Sequence, residues 1–117
     1  MSMESTILAE VKAALNRLDG LTVWRNTGGF DEERKIRYGL CPGSSDLVGV
    51  MMVRGVGVAL FVETKSATGR MEVDQRTFRG VVERLGAVYI VARSTSEAIL
   101  QASLASGRVG RRMRAEP

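Results

Sequence analysis

With 117 residues, 44% of them hydrophobic, the chain suits one globular core, because division into two would leave too little apolar area for either. It holds no histidine and one cysteine, Cys41, which excludes Cys/His zinc clusters, intrachain disulfides and every nucleophile or general base built on imidazole. The net charge of +4 suggests a polyanionic partner, yet Arg108, Arg111, Arg112 and Arg114 against Glu116 place +3 of it in the last ten residues and leave +1 for the body.

The first element is a helix near residues 4–18, where Ile7, Leu8, Val11, Ala14, Leu15 and Leu18 keep the i, i+3, i+4 spacing and Asp19-Gly20 ends it. Leu21 to Arg25, with Thr, Val and Trp, reads as a short strand. The polar segment 26–45 that follows reads as a long, functional loop. Leu47 to Arg54 and Val58 to Lys65 are β-branched segments joined by Gly55-Val56-Gly57, which predicts an antiparallel hairpin.

Asp74 is placed to cap a second helix with a Phe78, Val81, Val82, Leu85 stripe and Gly86 as its stop. Ala87 to Ala92 is the last strand, free to pair parallel through the helical crossover. Ser94 to Glu97 has the Ser-x-x-Glu form of a capping box, opening a third helix with Ile99, Leu100 and Leu104 and stopping at Gly107. The expected order is α-β-β-β-α-β-α, an α/β fold with a mixed sheet flanked by helices over residues 1–107. Residues 108–117 read as a basic, disordered tail. No run of about 18 apolar residues occurs, and the opening Met-Ser-Met-Glu-Ser lacks a basic stretch before an apolar one, so the expectation is a cytoplasmic protein.

Side chains two apart on a strand share a face, about 6.6 Å from each other along it. Glu63 and Lys65 therefore project together at the end of a mostly apolar strand, and the hairpin brings Asp46 beside them. Two adjacent carboxylates repel unless a proton, a cation or a basic group intervenes. With oxygen donors and no histidine, Mg²⁺ or Mn²⁺ is the natural cation, and the chemistry it supports beside a lysine is phosphodiester hydrolysis. A solvated strand end or a cross-strand salt bridge is the bland alternative for Glu63 and Lys65.

The combination of Pro42-Gly43-Ser44-Ser45-Asp46-Leu47, Phe61-Val62-Glu63-Thr64-Lys65, Gly69 and Gln75 resembles the VRR-NUC (virus-type replication-repair nuclease) domain of the PD-(D/E)xK nuclease superfamily, over roughly residues 4–92. The resemblance implies a restriction-endonuclease-like fold and metal binding by Asp46, Glu63 and the Thr64 carbonyl. It also implies a catalytic Lys65, support from Gln75 and, on the first helix, Glu10 as a further ligand or orienting group. Ser45 stands where the motif has proline. The implied activity is a structure-selective DNA endonuclease acting on Holliday or other branched junctions as a homodimer, with room for a separate targeting protein.

Around the second helix Arg70, Arg76, Arg79 and Arg84 are candidates for phosphate contact or plain solubilising charge. Trp24 reads as core packing, with stacking on an unpaired base as its other use. Cys41 reads as an apolar filler. Another class of function stays open, a non-catalytic nucleic-acid-binding module that uses the basic tail.

Overall fold

The computed structural model of the chain describes residues 2–115. It comprises α1 (Met3–Asn16), β1 (Leu21–Arg25), β2 (Gly29–Asp31), β3 (Ile36–Tyr38), β4 (Leu47–Val53), β5 (Val56–Thr64), α2 (Val73–Arg84), β6 (Val88–Ala92) and α3 (Thr95–Ala115). A four-stranded mixed sheet runs β1-β4-β5-β6, antiparallel up to β5 and parallel between β5 and β6. The α/β class, the mixed sheet and its three helices are as expected. The order is longer by two strands, because Gly29–Asp31 and Ile36–Tyr38 form a separate two-stranded sheet inside the expected 26–45 loop.

That small hairpin escapes a periodicity reading because its strands are three residues each and mostly exposed, too short for an alternation such as Ile36-Arg37-Tyr38 to stand out. Its turn is instead made by Asp31, whose Oδ1 accepts the amides of Glu33 and Arg34, and by Lys35 at φ +55°. The larger hairpin turns one residue earlier than expected, on Arg54-Gly55, both at positive φ, and this two-residue geometry matches the twist of the flanking strands.

Strand alternation divides the molecule into two layers. Val58, Leu60 and Val62 of β5 point with Leu47, Met51, Val88 and Ile90 into a core closed by Leu8, Val11 and Leu15 of α1 and by α3. The third helix meets this core not with Ile99, Leu100 and Leu104, which are exposed, but with Ala98, Ala102, Ala105 and Val109. A row of alanines lets the helix axis come close to the sheet, and this close approach wins over the larger side chains. The expected stop at Gly107 does not occur. The helix runs on to Ala115, and Gly110 is buried where a Cβ would lie 3.6 Å from Val53. The expected disordered tail is therefore helical over residues 108–115, and residues 116–117 lie outside the described residues.

On the other face, Phe61 and Tyr89 receive Phe78 of α2, with ring centroids 5.2 and 6.3 Å apart. The stripe expected on α2 is only half realised: Phe78 and Val82 are half-buried, whereas Val81 and Leu85 are exposed, because α2 covers only one side of this face. The N-cap is Glu72 rather than Asp74, which sits in the first turn. Asn16, at the end of α1, hydrogen-bonds both backbone groups of Val23 and so closes one position on the free edge of β1. Among the described residues no helix is long and apolar enough to cross a membrane.

Candidate active site

The register Leu47↔Val62 sets the residues just before β4 against the end of β5, so Asp46 faces Glu63 directly. The backbone amide of Asp46 donates to Glu63 Oε1 at 3.1 Å, and Thr64 returns its amide and its hydroxyl to Asp46 Oδ2, each at 2.9 Å. These crossed bonds hold the two carboxyl groups side by side. Lys65 follows β5, and its Nζ lies 3.5 Å from Glu63 Oε2. The expected same-face projection of Glu63 and Lys65 is thus present, with both residues buried.

Gln75 occupies the third position of α2, and its amide works in both directions. Its Oε1 accepts the Glu72 amide at the helix start, and its Nε2 donates to Glu63 Oε2 at 2.7 Å. The carbonyl function is thereby committed to the helix cap, which leaves the NH₂ group to face the carboxylate. Glu63 is pushed up from 4.5 to about 7, first by burial, then by the Asp46 charge and a hydrogen bond to Asp46, against the pull of Lys65 and of the Asp46 amide. Near neutral pH this carboxyl can therefore either hold or release its proton.

These groups line a polar cleft of about 360 Å³ that also takes in Arg25 and the first turn of α1. The acidic side chain α1 supplies there is Glu4, not Glu10, which is exposed and does not border the cleft. An offset of six residues on a helix is close to 240° of rotation, enough to carry Glu10 away from the face that Glu4 presents. Among the described residues no group of three or more acidic or cysteine side chains converges on a single point.

Of the expected phosphate contacts, Arg76 is turned back onto the Met71 carbonyl, and Arg79 pairs with Glu83 while lying 5.3 Å over the Tyr89 ring. Arg70 and Arg84 are exposed. Trp24 is 55% exposed rather than in the core, since it points to the face that α2 leaves open, and Cys41 is exposed rather than a filler.

Two positioning residues escaped the sequence reading. Asn26 accepts no obvious motif, yet its amide donates to the Asp46 carbonyl and its Nδ2 to Ser44 Oγ and the Ser45 carbonyl. Ser45 is itself buried, and its hydroxyl donates to the Leu47 carbonyl at 2.7 Å, so a hydrogen bond shapes the approach to Asp46 where a proline ring is absent. Arg93, just beyond β6, donates through Nη1 to the Ser66 and Gly69 carbonyls and anchors the segment that leaves Lys65. Asn26 and Arg93 act across long separations in sequence, which no local pattern records. Comparison of the chain with protein-family models, with curated proteins and with solved structures gives no match.

Proposed function

We propose that the chain is a metal-dependent nuclease that hydrolyses phosphodiester bonds in DNA, with a restriction-endonuclease-like core as its scaffold. The observation that carries this reading is the pairing of Asp46 with a buried, proton-holding Glu63 beside the Lys65 ammonium in one polar cleft. A purely structural ion pair has no use for the second carboxylate, which raises the cost of charging the first.

The donors fit a hard divalent cation. They are all oxygen, they belong to a pair of carboxyl groups that charge repulsion alone would separate, and Mg²⁺ commonly takes one or two carboxylates and completes its sphere with water and phosphate oxygens. Asp46 and Glu63, with the Thr64 carbonyl, would hold it. When bound, Mg²⁺ or Mn²⁺ supplies Lewis acidity toward a phosphoryl oxygen and lowers the pKa of water.

The chain's own residues do the rest. Once ionised, Glu63 would be a ligand, and Gln75 Nε2 keeps its carboxyl group oriented through Oε2. Lys65 lies against Glu63 at rest and, when substrate is present, has the phosphate within reach, where its ammonium offsets charge that develops on the phosphoryl oxygens. Arg25 borders the same cleft and adds a fixed cation for the flanking backbone. Asn26 and Ser45 fix the Asp46 backbone, so the two carboxyl groups stay in register without rearrangement.

The test is a cleavage panel of flaps, junctions, single strands and plain duplex with Mg²⁺, Mn²⁺ or EDTA. The expected result is metal-dependent product from the wild-type chain and a loss of at least about 100-fold for Glu63→Gln and Lys65→Ala with the fold retained. Metal-independent, salt-sensitive binding without any product would instead support the non-catalytic binding module. The exposed Arg108, Arg111, Arg112 and Arg114 would then be tested by substitution, because deleting them also removes the buried Val109 and Gly110.

A further inference from the structure

Asp46 borders two clefts. One holds Glu63 and Lys65, and the other, of about 270 Å³, lies between the β2–β3 hairpin and the segment leading to Asp46, with Arg37 and Tyr38 in its wall. A strand whose scissile phosphate sits at Asp46 and Glu63 would extend into this second space.

The hairpin is built as a projecting arm. Among the described residues it pairs with no other strand, its two strands have three residues each, and such a ribbon is marginal in water unless something else holds it. The holding is at its neck, where Gly39 at φ +87° approaches Gly28 so closely that a Cβ would lie 2.6 Å from the Gly28 Cα. One strand pair further out, Tyr38 lies across Gly29, where a Cβ would meet the phenol oxygen at 2.6 Å. A glycine opposite a tyrosine thus sets the ring in place, yet Tyr38 remains 50% exposed.

Charge on the arm is just as selective. Arg34 pairs with Asp31 and Lys35 with Glu32, whereas Arg37 makes no ion pair among the described residues. Tyr38 and Arg37 are neighbours on β3 and both line the cleft. A half-exposed aromatic ring and an unpaired guanidinium at the border of a catalytic carboxylate match the two repeating parts of an unpaired nucleic-acid strand, a base face and a phosphate.

Resting on the nuclease reading, the geometry points to this second cleft as a subsite for the unpaired nucleotide next to the scissile phosphate, with Tyr38 stacking on its base and Arg37 contacting its backbone. In a continuous duplex both faces of each base are covered by neighbours, so the subsite selects DNA with single-stranded character beside the cut.

The experiment is fluorescence anisotropy of the full chain in EDTA, so that no cutting occurs, with a labelled 12-nucleotide single strand and a blunt duplex of the same length. The expected result is that Tyr38→Ala weakens single-strand binding about tenfold and leaves duplex binding unchanged, while Tyr38→Phe binds as wild type. Arg37→Gln should weaken single-strand binding and lower the slope of log K against log salt by roughly 0.7. Unchanged single-strand binding in Tyr38→Ala, an equal loss for both probes, or a wild-type chain that binds neither probe would overturn the subsite. Circular dichroism of each variant shows that the fold is retained, and the Tyr38→Phe arm separates ring stacking from any role of the hydroxyl. Failure of the nuclease reading looks different: no product from any substrate, with the Tyr38-dependent preference for single strands intact.

Discussion

Glu63 accepts hydrogen bonds from Asp46 and Gln75 and sits against Lys65, yet burial still holds its proton to about 7. Below pH 4.5 the carboxyl is protonated in folded and unfolded chains alike, and the raised value contributes its full stability there. Between 4.5 and about 7 the unfolded chain releases the proton while the folded chain keeps it, so stability falls as pH rises through that window. The loss is on the order of 3 kcal/mol by the usual conversion of pKa shift to free energy. Glu63→Gln is neutral at every pH and lacks this slope. In EDTA, its melting temperature should therefore gain on that of the wild type between pH 4.5 and 7.5; a constant difference across the range would refute the assigned proton. Asp46, Glu63 and Lys65 could be read from the sequence because a two-residue strand period and one hairpin are enough to bring them together, whereas Gln75, on α2, was marked only by the family resemblance. Glu10 could not be told from Glu4, since both lie on a helix whose rotation about its axis depends on packing against the sheet.

The elements were legible where they are long and one-sided, as in α1, β4 and β5, and less so where tertiary packing overrides a local rule. Gly107 reads as a helix stop, but α3 runs through it and packs Val109 and Gly110 against the sheet, where a Cβ at Gly110 would meet Val53 and Arg54 at ordinary contact distances of 3.6 and 3.8 Å. Gly49 drew no attention in the middle of β4, yet a Cβ there would lie 1.9 Å from the Thr22 carbonyl oxygen of β1. Backbone cannot move aside as a flexible side chain can, so Gly49→Ala should cost at least about 2 kcal/mol. Gly80, by contrast, lies in α2 with nothing within 4 Å of an added Cβ, and Gly80→Ala should stabilise by about 0.5–1 kcal/mol through helix propensity alone. Urea unfolding midpoints of the two variants measure this contrast, and equal shifts would contradict the packing described for β1 and β4.

At the scale of the molecule, one sheet face is sealed by α1 and α3 while the other is covered by α2 only over β5 and β6. The open half carries Trp24, Val50 and Met52. Position on that open face explains why Trp24 did not take the core role its type suggested: exposure is decided by where a helix ends up, not by the hydropathy of a single residue. The same asymmetry leaves the ends of β4 and β5 accessible beside α2, with the small hairpin at the other side of Asp46. The proposed chemistry requires the two carboxyl groups to share one divalent cation. Manganese binding followed by electron paramagnetic resonance tests this most directly, without any substrate: the wild-type chain should take up Mn²⁺ at pH 8, and Asp46→Asn and Glu63→Gln should each abolish most of that uptake. Equal uptake by all three chains, or none by the wild type, would contradict it.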